Sequence, residues 1–157
     1  MSQGFLSKLT FGPRRMRWLF NLWPPFRGMG VKVREISPDF RHAIVELRMR
    51  LLNRNYVGSH FGGSIYAMTD PFYMVMMMNN LGRDYVVWDK MGTVKYLKPG
   101  HGTLTAEFVV TQAMVDEAIA STAEGAKFEP TYAVELKDRE GAVVATVEKT
   151  LYIRKKK

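Results

Sequence analysis

Between Arg54 and Arg83 the sequence carries one formal charge, Asp70, set in a run from Phe61 to Met78 that is otherwise almost wholly apolar. A carboxylate in such surroundings must be paired, hydrogen-bonded or open to a site, because burying it alone costs several kcal/mol. A carboxylate held this way can take a proton from water or attack a carbonyl carbon. About two helical turns upstream, Gly62 and Gly63 let a backbone approach a ligand closely. Unbonded N–H groups near a helix start could there meet an anion or a polarised carbonyl oxygen. Plainer readings stand beside these. Asp70 followed by Pro71 is a helix-start signal, so Asp70 could simply cap a second helix, and a Gly-Gly pair also serves close packing of helix on sheet.

Other chemistries find less support. There is no cysteine, which removes thiolate nucleophiles, disulfides and the usual zinc clusters. His42, His60 and His101 lack metal-ligand spacing, so no metal is expected, and no G-x-S-x-G elbow is present. Met68, Met74, Met76, Met77 and Met78 read first as core packing and second as an adaptable acyl pocket. Lys95, Lys98, Arg139 and Lys149 read as solvated strand-edge charges, with contact to CoA phosphates as the functional alternative.

The elements that would position Asp70 follow from periodicity. Val31–Ile36 reads as a strand, and Ala43, Val45, Leu47, Met49 and Leu51 alternate with Ile44, Glu46, Arg48 and Arg50 as a half-buried second strand. The apolar run from Phe61 to Met78 predicts one enclosed helix containing Asp70. Strands are expected over Tyr85–Leu97 and Thr103–Thr111, separated by the turn 98–102. A short helix is expected over Met114–Glu124, and a hairpin turns at Asp138–Gly141. Two strands, a long enclosed helix and four more strands suit a twisted antiparallel sheet wrapped around one helix, an α+β fold.

The net charge of +8 is confined to the ends, since residues 1–28 and 154–157 hold nine basic residues and no acid. The body between them is nearly neutral and offers no phosphate-tracking face, so no nucleic-acid partner is expected. Residues 1–28 form a basic amphipathic segment, with Met16, Leu19, Phe20 and Trp23 at helical spacing. Its stripe could dock on the body, lie on a membrane surface or act as a lid. Pro24 and Pro25 interrupt it, and it makes no secretory signal, so a cytoplasmic location is expected. Residues 29–157 form the main domain.

The run Asn55 to Pro71, NYVGSHFGGSIYAMTDP, resembles the motif of phenylacetyl-CoA-type hotdog thioesterases. Asn55, Gly62, Gly63 and Asp70 fall on the motif positions. Further similarity over 53–71, 81–90 and 150–154 resembles a bacterial thioesterase-like hotdog family. Phe61 occupies the position usual for His, with His60 one residue earlier, and Pro71 after the acid departs from the usual helix.

The resemblance implies a hotdog fold and hydrolysis of an acyl-CoA thioester, with CoA entering as part of the substrate and no separate cofactor. Gly62 N–H would polarise the carbonyl, Asp70 would act as base or nucleophile, and Asn55 would position water or substrate. Gly63, His60 and Phe61 would line the substrate site. It also implies a homodimer or homotetramer, because the Asp of one subunit works opposite the glycine of its partner. A non-catalytic acyl-CoA binding protein and a membrane-associated scaffold are the alternatives.

Overall fold

The computed structural model describes residues 11–156. Two helices open it, α1 (Pro13–Leu22) and α2 (Pro24–Met29), followed by strands β1 (Val31–Ile36) and β2 (His42–Arg48). Helices α3 (Gly62–Ala67) and α4 (Phe72–Leu81) come next, then β3 (Tyr85–Tyr96), β4 (Thr103–Val109), α5 (Gln112–Ser121), β5 (Lys127–Phe128), β6 (Thr131–Lys137) and β7 (Val143–Lys155).

All strand pairings are antiparallel, in the order β1-β2-β4-β6-β7-β3, with β5 added on β7. Period-two alternation turns Val45, Leu47, Leu104, Phe108, Leu136, Val147 and Leu151 inward, where they meet Met68, Phe72, Met76 and Met77 of the helical segment in one core. Phe72 stacks between Phe26 and Phe108, with ring centroids 6.2 and 5.0 Å away. The Tyr73 hydroxyl donates to the Ala133 carbonyl at 2.8 Å, fixing α4 against β6. The helical segment is thus enclosed by the sheet, as its all-round apolar sequence requires.

Three expectations need correction. The central helix is not continuous. It stops at Ala67, crosses a turn over residues 68–71 that holds a cis Asp70-Pro71 peptide, and resumes at Phe72. Proline lacks an N–H and cannot sit inside an unbroken helix without losing a bond. The second strand ends at Arg48, because the Asn53 side chain accepts from Arg50 N–H at 2.6 Å and donates to the Arg48 carbonyl at 2.8 Å. That folds Leu51–Asn53 into a short 3-10 turn and leaves Leu51 and Leu52 exposed. Residues 98–102 carry the chain from β3 to β4, which are not neighbours, since β3 pairs with β7 and lies at one edge of the sheet.

The third concerns the N-terminal stripe. Phe20 packs on the core and Met16 is half-buried, but Leu19 and Trp23 remain exposed. No helix among the described residues is long and apolar enough to cross a membrane. The two sheet edges are treated differently. At β1, the Asn21 amide both donates to Val33 O and accepts from Val33 N–H, each at 2.9 Å, so α1 covers that edge. At β3, the exposed run from Lys90 to Thr93 leaves the edge open.

Candidate functional site

Asp70 lies in the break between α3 and α4, and what holds it there comes from the sheet. Its Oδ1 is 3.7 Å from the ammonium of Lys149 on β7, and its side chain is half exposed, whereas that of Lys149 is only 2% exposed. The same ammonium lies 3.3 Å from Asp89 Oδ1, on β3 beside a register shift between Asp89 and Met91. That second contact is electrostatic rather than hydrogen-bonded, leaving Asp89 Oδ1 buried without a hydrogen-bond partner. Tyr66, near the end of α3, places its ring 4.9 Å below the ammonium and its hydroxyl 3.4 Å from it. The ring fits because Gly92 on β3 has no side chain, where a Cβ would collide with the Tyr66 hydroxyl.

Asp70 and Asp89 share one buried cation. Desolvation by burial raises the Asp89 carboxyl from 3.8 to about 6, helped by a hydrogen bond to Asp70 and opposed by the Lys149 charge. A proton on Asp89 would form that hydrogen bond, bridging the two carboxyls. Burial opposes the Lys149 ammonium, but attraction to Asp89 and Asp70 outweighs it and lifts its pKa above the ordinary lysine value. The helix-cap reading of Asp70 is set aside: Pro71 stands at the start of α4, and no side chain caps it.

Lys149 also corrects the reading that placed it among solvated edge charges. It is in phase with Val147, Leu151 and Ile153 along β7, so alternation alone directs it to the core face. Asp89 is likewise in phase with buried Val87. Of the other expected edge charges, Lys98 pairs with Asp138 at 2.6 Å and Arg139 donates to Thr103 Oγ1 at 3.4 Å. Met68, Met76 and Met77 are core, with Met74 and Met78 packed against it.

The remaining expected site residues gather at the other end of α3. Phe61 precedes the helix, its ring exposed and lying over Gly63, where a Cβ would strike it. Among the described residues neither Gly62 N–H nor Gly63 N–H has a hydrogen-bond partner, as befits the first positions of a helix. The Gly62 carbonyl accepts from the Tyr96 hydroxyl at 3.0 Å, tying the helix start to β3.

Asn55 organises the approach to this helix start. Its Nδ2 donates to Ser59 Oγ at 2.8 Å and to His60 O at 3.2 Å, while Oδ1 accepts from Val57 N–H at 3.1 Å and Ser59 N–H at 3.0 Å. All four of its hydrogen-bonding positions are thereby used within its own loop. His60 is buried, with Nε2–H donating to Gly102 O at 3.0 Å and Nδ1 unpartnered; burial holds its pKa below the ordinary value. With Tyr96, Pro99 and Gly100, these residues line an open groove of about 470 Å³.

The chain therefore holds two separate candidate half-sites, a carboxylate at Asp70 and unbonded N–H groups at the start of α3. Gly62 is the first residue of α3, and Asp70 lies in the turn beyond its end. Both lie against β3, the donor half-site at Tyr96 and the Tyr66–Asp70 segment at Gly92 and Asp89.

Residues 12–153 match the family model described as a domain of unknown function (DUF4442). Among curated proteins, none matches the sequence. Several solved structures share the fold. A Pseudomonas aeruginosa protein, described as of unknown function and a probable thioesterase, superposes with a TM-score of 0.77 at 18% identity, covering 91% of this chain and 96% of its own. A Haemophilus influenzae thioesterase gives 0.66 at 12% identity, covering 94% of each chain. The Escherichia coli PaaI protein of the phenylacetic acid degradation operon gives 0.62 at 16%, covering 88% of this chain and 90% of its own. These likenesses establish the hotdog fold.

Proposed function

The chain belongs to the family described as a domain of unknown function (DUF4442), and on that premise we propose that it hydrolyses the thioester of an acyl-CoA as a homodimer. The observation that carries this reading is a half-exposed carboxylate, Asp70, held at a helix break by a buried ammonium instead of capping a helix. Thioesterase descriptions among its structural relatives add support.

In this reading Asp70 takes a proton from water as the water oxygen attacks the thioester carbon. The carbonyl oxygen gains negative charge and accepts the N–H of Gly62 from the facing copy. Collapse of the tetrahedral intermediate breaks the C–S bond, releasing the carboxylic acid and the CoA thiolate, which takes up a proton. Direct attack by Asp70, through an anhydride that water then opens, uses the same groups. Lys149 keeps the carboxylate aimed, and Asn55 acts through the loop that carries His60 and Phe61. The groove beside Gly62, Gly63 and His60 accommodates the acyl or pantetheine arm.

Free thiol released from a panel of acyl-CoAs tests the proposal. Asp70→Asn should lower turnover by roughly 100-fold or more while the protein stays folded and its acyl-CoA-dependent thermal shift persists. Unchanged hydrolysis in a folded Asn variant, or a thermal shift without any turnover in the unmodified protein, would overturn it.

A further inference from the structure

Helix α1 is held to the body by polar bonds on one side, yet its opposite side is not polar. Asn21 grips Val33, and the Arg17 guanidinium donates to Arg34 O at 2.9 Å, which fixes the rotation of the helix against the β1 edge. At 100° per residue, the outward arc then carries Arg14, Trp18, Leu22, Arg15 and Leu19. Trp18 is 61% exposed and Leu22 44%, with Leu19 and Trp23 also open, and no residue of α1 is buried. Beside it a groove of about 580 Å³ runs between α1 and β1, lined by Arg17, Trp18, Leu22 and Lys32. A tryptophan and two leucines on the solvent side of a surface helix add nothing to the core.

Charge narrows what could cover them. No acidic residue occurs before Glu35, while Arg14, Arg15, Arg17, Arg27, Lys32 and Arg34 all lie between residues 11 and 34. The nearest acids leave the outer arginines unpaired: Glu46 lies 3.4 Å from Arg34 and 2.8 Å from Arg48, Glu35 faces His42 at 4.0 Å, and among the described residues no acid pairs with Arg14 or Arg15. Arg15 lies over the Phe11 ring at 5.5 Å, still exposed. A second copy seated here would set these guanidiniums against their own images. A nucleic acid would use the charge and leave Trp18 and Leu22 without purpose.

We infer that the outer face of α1 docks on an anionic lipid bilayer, with Trp18 and Leu22 entering the headgroup boundary and Arg14 and Arg15 meeting lipid phosphates. Apolar depth combined with basic attraction is the general basis of such binding. This does not depend on the proposed hydrolysis, because the face lies on the β1 edge and the Asp70 site on β3.

Sedimentation of the full chain with vesicles tests it. Vesicles of phosphatidylcholine containing about one-third phosphatidylglycerol should carry the protein down, and phosphatidylcholine alone should not, with binding weakening as salt rises. Trp18→Ser with Leu22→Ser should cut partitioning by about tenfold or more, and Arg14→Gln with Arg15→Gln by a similar factor. Since these side chains are exposed, both variants should melt like the unmodified chain. Equal binding to both vesicle types, or full binding by either variant, would refute the inference. So would absence of vesicle binding, including the case in which the unmodified chain instead self-associates or binds an acidic polymer through this face.

Discussion

At the scale of single residues, the Asp70–Lys149–Asp89 cluster makes a pH-dependent statement. The Asp89 carboxyl, raised to about 6 from 3.8, binds a proton in the folded chain at pH values where the unfolded chain has released it. Its contribution to stability is therefore fullest below about pH 4 and declines as pH rises towards 6. Asp89→Asn should remove that decline, visible in denaturant midpoints across this range. Activity should move the other way. A proton on Asp89 would let it donate to Asp70 and draw charge from the carboxylate that attacks or takes the proton, so turnover should fall as pH drops through about 6. An Asn amide imitates the protonated acid, so the variant should show low turnover with little pH dependence over that interval. A variant profile that still bends near 6 would mean another group sets it.

At the scale of elements, the chain depends on a few junctions where side chains take over from regular structure. Gly30, at φ +82° with α2 behind it and β1 ahead, is one. A Cβ there would meet the Asn53 amide and the Arg48 carbonyl, the same groups that end β2. Gly30→Ala should therefore combine left-handed strain with a collision against backbone and cost about 2 kcal/mol or more. Urea unfolding reads this directly, and a loss below about 0.5 kcal/mol would show that the junction can relax. Gly62 behaves differently. A Cβ there meets only the far end of Tyr96, at 2.9 Å, and Phe61 before it is already extended at ψ 126°. Gly62→Pro should thus fold, because a first helical position tolerates proline, while deleting the one N–H that the proposed chemistry uses.

At the scale of the whole molecule, that variant tests whether the site spans two copies. Gly62→Pro and Asp70→Asn should each be inactive alone. Mixed after unfolding and refolding together, they should recover about a quarter of full activity, since half the dimers carry one intact site of two. No recovery, with mixed dimers present by mass, would place both groups in one subunit's site. Much of this molecule was legible in its sequence: period-two alternation located the strands and the Asp138–Gly141 hairpin, and the apolar run announced an enclosed helical segment around a lone Asp. Local chemistry governs these features, so neighbouring residues suffice to reveal them. The break at Pro71 was visible as a residue but not as two separate helices, because its extent depends on how Met68 and Phe72 pack. Lys149 and Asp89 were readable in principle from their phase with Val147 and Val87. That the two strands meet, with β3 beside β7 rather than beside β4, is a long-range pairing that no short segment encodes. The sequence by itself determined which residues could do chemistry. Tertiary structure alone decided that Asp70 lies against a buried cation, because an ion pair joining a helix break to two distant strands exists only once the sheet has closed around it.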